Sequence, residues 1–161
     1  MNPLEFALKM ELDGKAYYEK LASETDVTML KIIFTSLAAD EQKHYDTIKQ
    51  MQSEVNTVMV DSTALEMSKK IFQDLINDKN TAEGLKESLD GYKHAMKVEA
   101  DSVKFYEEIA AKESNPDSKK LLLKVAEEEK KHYNIMDNLY DYTLKPQYFL
   151  AWGEFSNIKE L

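Results

Sequence analysis

Glu41-Gln42-Lys43-His44 and Glu129-Lys130-Lys131-His132 write the same Glu-x-x-His step twice, 88 residues apart. Glu11 and Glu99 repeat that 88-residue interval upstream of each copy. Laid over one another, Ala7 to Ala22 and Ala95 to Ala110 align without a gap and keep Ala, Lys, Glu, Asp, Tyr, Glu and Ala in register. One offset preserved through whole segments points to a tandem duplication of a helical hairpin. In a helix, residues three apart are neighbours on one face, so each Glu-x-x-His presents a carboxylate and an imidazole to the same point.

Apolar residues recurring at three- and four-residue steps predict four long helices, at about 3–23, 27–54, 82–112 and 116–143. Ser23-Glu24-Thr25-Asp26 offers an N-cap before the second of these. Ser114-Asn115-Pro116-Asp117 offers one before the fourth, with Pro at the first helical position. Both turns are short, so each hairpin is antiparallel. The connection between hairpins is much longer than a turn needs, and Ala64 to Asn77 within it reads as a shorter amphipathic helix carrying Leu65, Ile71, Phe72, Leu75 and Ile76. The expected fold is an all-α four-helix bundle of two antiparallel hairpins joined by a long crossover, one domain over 1–161. The tail, 146–161, is aromatic, with Tyr148, Phe149, Trp152 and Phe155, and would pack on the bundle's own end or form a dimer contact.

Composition narrows the function. The net charge is −9 and the chain has no Arg, which argues against a surface that tracks nucleic-acid phosphates or an anionic membrane. No apolar run approaches the roughly 20 residues of a membrane span, and the start Met1-Asn2-Pro3-Leu4-Glu5 does not read as a signal peptide, so a cytoplasmic location is expected. Without Cys there is no disulfide, thiolate metal site or thiol nucleophile. Redox chemistry would therefore rest on Glu and His ligands or a borrowed cofactor.

Helix geometry brings those ligands together. Glu11 and Glu41 each lie about 18 to 21 Å from their hairpin turn at 1.5 Å per residue, and Glu99 and Glu129 repeat the arithmetic. Two hairpins packed face to face thus place four Glu and two His in one layer. Four desolvated carboxylates would repel and take up protons, whereas two divalent cations match their charge and leave neutral imidazoles as donors.

These residues carry a resemblance to the ferritin-like superfamily, and within it to the rubrerythrins. The run Lys9-Met10-Glu11-Leu12-Asp13-Gly14-Lys15-Ala16-Tyr17-Tyr18-Glu19-Lys20-Leu21-Ala22 is similar to the first rubrerythrin helix, and the tail from Pro146 to Phe155 is like the one that closes free-standing diiron domains. The resemblance implies that Glu41 and Glu129 bridge two irons, that Glu11 and Glu99 are terminal or bridging ligands, and that His44 and His132 supply one imidazole per iron. It makes Tyr18 and Tyr106, each seven residues after its helix Glu, hydrogen-bond donors to ligand carboxylates. Asp40 and Glu128, each preceding a bridging Glu, become candidates for orienting the imidazoles. Implied too are a diiron cofactor, oxo- or hydroxo-bridged when oxidised, with manganese–iron or zinc as other occupants. A homodimer or small homo-oligomer, a small oxidant as substrate and an external electron donor such as a rubredoxin-like protein complete the expectation.

The pattern departs from the family in two places. Rubrerythrins add a carboxylate three residues after the third-helix Glu, where this chain has Ser102, mirrored by Gly14; the site is the symmetrical six-ligand kind. No cysteines are present to hold the iron of a rubredoxin module, and Gln42 after Glu41 gives no methionine ligand for haem. The expected activity is reduction of hydrogen peroxide or dioxygen. Alternatives are an iron-storage protein, which needs a hollow multimer; a hydroxylase, which needs an apolar pocket beside the metals; and a metal-free structural bundle. Outside the six ligands, His94 reads as a surface or rim residue, Met10, Met51 and Met96 as core filler, and the run Glu127 to Lys131 as a solvated face with only Glu129 set apart.

Overall fold

The computed structural model describes residues 2–53, 59, 61–76 and 89–144. Within them the chain forms five helices: α1 Pro3–Glu24, α2 Thr28–Gln52, α3 Ala64–Ile76, α4 Leu89–Lys112 and α5 Pro116–Leu144. There are no strands among the described residues. The expected helical stretch at 82–88 and the tail at 146–161 lie outside them. Helix α1 packs chiefly on α2 and α4 chiefly on α5, which gives two antiparallel hairpins, and α3 lies in the crossover against α2 and α5. This is the ferritin-like bundle topology.

Local sequence sets the helix ends. Asn2 caps α1 by accepting from the Glu5 amide at 2.9 Å while the Glu5 carboxylate accepts from the Asn2 amide at 3.1 Å, a reciprocal capping box with Pro3 following. At α5 the Asn115 side chain accepts from the amides of Asp117 and Ser118, as its position before Pro116 predicts. The start of α2 differs from expectation. Its N-cap position is Val27, with no side-chain cap, because α1 continues through Ser23 and Glu24 and the Thr25 hydroxyl accepts from the Val27 amide within the turn. With so short a connection, the one available hydroxyl serves the turn rather than the next helix.

Two apolar clusters fill the bundle. One gathers Tyr18, Leu21, Leu30, Ile33, Phe34 and Leu37 from the first hairpin with Tyr92, Ala95, Ile135, Met136, Leu139 and Tyr142 from the second. The other joins Ala7 and Ile48 to Tyr106, Ala110, Leu122, Val125 and Ala126. Met10 and Met51 pack against the second cluster and Met96 against the first. On each of the four long helices the conspicuous ligand positions fall between residues of one cluster and residues of the other. A polar layer is thus sealed above and below by close-packed apolar side chains. Among the described residues no helix is long and apolar enough to cross a membrane.

Packing of this kind is sensitive to volume. Leu37→Ala, at a position with 0 % exposure, should lower unfolding free energy by about 2–5 kcal/mol. Leu123→Ala, on the exposed side of α5, should change it by less than about 0.5 kcal/mol in the same urea titration. Equal losses at the two sites would contradict the assignment of the core.

Candidate metal centre

Glu11 of α1, Glu41 and His44 of α2, Glu99 of α4, and Glu129 and His132 of α5 meet in the sealed layer, none more than 3 % exposed. Their donor atoms fall into two groups, Glu11, Glu41, His44 and Glu129, and Glu41, Glu99, Glu129 and His132, with the atoms of each group within 4.8 Å of one another. Glu41 and Glu129 belong to both. Two overlapping sets that share two carboxylates are the arrangement in which a pair of cations can be bridged. The imidazoles stack with centroids 5.7 Å apart, and each directs Nδ1 inward: His132 Nδ1 lies 3.0 Å from Glu41 and 3.2 Å from both Glu99 and Glu129, and His44 Nδ1 lies 3.4 Å from Glu11.

The outward nitrogens are held across the hairpins. His44 Nε2 is 2.9 Å from Glu128 and His132 Nε2 is 2.9 Å from Asp40, so each carboxylate orients the imidazole of the opposite half. The tyrosines cross over in the same way: Tyr18 donates to Glu99 at 2.5 Å, and Tyr106 donates to Glu11. Glu128 is only 2 % exposed, so within the acidic run of α5 it belongs with Glu129 and not with the solvated face. Lys43, one residue before His44, adds a cation 2.9 Å from Glu128 and 3.6 Å from Asp40.

Charge in the layer is unevenly settled. Burial, then the neighbouring carboxylates, pushes Glu41 and Glu129 well above the usual carboxylate range. For His44 burial acts to lower the pKa, but the Glu11 carboxylate and its neighbours outweigh it and lift the value to about 10. His132 is likewise raised, against burial, by Glu99 and the carboxylates it touches. Glu11 is lowered, since the His44 charge overcomes its desolvation. Asp40 and Glu128 fall to about 2 despite burial, through their hydrogen bonds to His132 and His44. Without cations, protons shared among the carboxylates and imidazoles compensate the layer.

The sequence matches the family described as Rubrerythrin over residues 2–140. The chain belongs to the rubrerythrin family. Comparison with curated proteins and with solved structures gives no match. For a rubrerythrin the implied group is a pair of metal ions, and the residues fit it. Glu11 Oε2, His44 Nδ1 and Glu129 Oε2 are buried polar atoms with no hydrogen-bond partner, all inside the layer. Unpartnered buried polar atoms are costly, and cations in the two overlapping groups would satisfy them. Four carboxylates with two imidazoles suit iron, manganese or zinc.

A cavity of about 230 Å³ reaches the layer between α1 and α4, with Glu41, Glu99, Gly14 and Ser102 among its lining residues and Met10, Ala95 and Val98 giving it apolar walls. At Gly14 the wall is tight against the layer: a Cβ there would lie 3.2 Å from Glu41 Oε2. The duplication differs around this opening. Phe6 and Phe105 pack with ring centroids 5.1 Å apart, whereas the positions 88 residues on and back hold His94 and Tyr17, also 5.1 Å apart, which line the cavity. His94 is exposed and outside the ligand layer.

Metal uptake must displace the protons that the raised groups hold. At about pH 7, below the His44 value of about 10, zinc binding should release protons and tighten as pH rises. Calorimetry in buffers of different ionisation heat measures the release; binding heats independent of buffer would contradict this protonation pattern.

Proposed function

We propose that the chain is a non-haem diiron oxidoreductase that reduces hydrogen peroxide or dioxygen with electrons from an external donor. The observation that carries this reading is the sharing of Glu41 and Glu129 by two buried ligand groups. A pair of irons held there would supply two adjacent one-electron changes and Lewis acidity. Glu11 and His44 would hold one ion, and Glu99 and His132 the other.

The remaining residues prepare that centre. Tyr18 and Tyr106 donate to Glu99 and Glu11 and limit the orientations those carboxylates can take. Burial pushes both phenols well above their ordinary range, with Glu99 and Glu11 adding to the effect, so they stay protonated donors. Asp40 and Glu128 fix the imidazole rings so that Nδ1 faces the ligands. The cavity beside Gly14 and Ser102 admits a small oxidant while the two apolar clusters exclude bulk water. No cysteine occurs in the sequence, so reducing electrons arrive from a donor outside these residues.

The cavity's apolar walls support a second reading, oxidation of a small apolar co-substrate. Reductant-linked turnover of peroxide without any organic compound favours the first reading, and turnover only on adding one favours the second.

Stopped-flow absorbance on anaerobic, iron-loaded protein tests the preferred activity. Oxidation should be faster with peroxide than with dioxygen. Faster reaction with dioxygen would point to ferroxidase chemistry or iron storage, and no stoichiometric iron would leave a structural bundle.

A further inference from the structure

Ser62 lies in the crossover, two residues before α3, and is 8 % exposed. Its hydroxyl donates to Asp40 Oδ2, the oxygen that also faces His132 Nε2 at 2.9 Å. Its main-chain amide donates to Glu128 Oε2 at 3.1 Å, and the other oxygen of Glu128 faces His44 Nε2 at 2.9 Å. One residue outside the four long helices therefore touches both carboxylates that orient the two imidazoles. The same hydroxyl accepts from the Ala64 amide at 3.1 Å, which ties this contact to the start of α3. The approach is itself anchored: Lys124 of α5 donates to the Met59 carbonyl at 2.6 Å and pairs with Asp61 at 2.7 Å.

The geometry points to Ser62 as the shared positioning residue of the centre, holding Asp40 through its side chain and Glu128 through its backbone, and so setting both histidine ligands from the crossover. This rests on the reading of the layer as a two-metal site. Asp40 and Glu128, like Tyr18 and Tyr106, are mates 88 residues apart, whereas Ser62 reaches both halves from the crossover, as Lys43 does from α2. It does so by two different groups, and that difference makes the role separable. Removing the hydroxyl leaves Asp40 with the Lys43 contact alone beside His132 and loosens His132, while the amide to Glu128, and with it His44, is untouched. Partners that orient a metal-bound imidazole affect metal affinity by roughly 10- to 100-fold when lost.

The test is stepwise zinc binding to the full chain by competition with a chelator, on wild-type protein, Ser62→Ala and Ser62→Thr, with imidazole 15N NMR of the zinc-loaded forms. Ser62→Ala should weaken one of the two zinc steps about tenfold. It should shift the His132 nitrogens and leave the other step and His44 unchanged. Ser62→Thr, which keeps a hydroxyl, should restore both readouts. Loss of the α3 contact alone would lower thermal stability without singling out one zinc or one histidine, so two unchanged steps, or two equally weakened ones, would overturn the role. Wild-type protein that fails to take up two zinc ions would overturn the two-metal reading and the Ser62 role with it.

Discussion

Four carboxylates buried in one layer of a helical bundle are the constraint on which the rest of the structure depends. Taking a carboxylate out of water costs several kcal/mol, and setting four together adds repulsion. The layer draws protons toward His44, His132, Glu41 and Glu129, whose pKa values are all raised, and metal ions would offset the same negative charge. The apolar clusters on either side stabilise the helices and also exclude water that would weaken the attraction between ligands and cations. Fold and centre are therefore coupled: the packing that holds the bundle together makes the layer reactive toward cations.

Duplication gives the layer its near-symmetry. Each half supplies a helix Glu, a Glu-x-x-His, a tyrosine and an acid before the shared Glu, and the outer contacts run from one half to the other. Tyr18 serves Glu99 and Tyr106 serves Glu11; Asp40 serves His132 and Glu128 serves His44. Neither hairpin completes its own site, so docking of the two hairpins and assembly of the ligands are one event. The symmetry fails around the cavity. The cavity opens beside Tyr17 and His94 while the equivalent ring pair is Phe6 and Phe105.

Much of this was legible in the sequence because helices convert spacing into geometry. The six clustered Glu and His positions follow from a three-residue step, a fixed interval and equal distances from two turns; the tyrosines follow from the rubrerythrin resemblance. What stayed hidden depends on docking or on irregular backbone. Sequence nominated Asp40 and Glu128 without indicating that each would reach the opposite hairpin. It counted Glu128 in a solvated run, since periodicity along one helix does not reveal the crossover that covers it. Ser62 belongs to no motif in the sequence; its contacts with Asp40 and Glu128 arise only once the crossover folds back. The missing cap at Val27 was masked by a turn rich in capping residues, and the opening at Gly14 by the absence of any side chain to notice.

The central claim is that Glu41 and Glu129 join two metals into one electronic unit. Mössbauer spectroscopy of protein loaded anaerobically with 57Fe and then oxidised, recorded at liquid-helium temperature with and without an applied field, tests it most directly. The account predicts equal amounts of two ferric sites with a diamagnetic ground state, the mark of antiferromagnetic coupling through a shared bridge. Magnetically isolated high-spin ferric ions would contradict it.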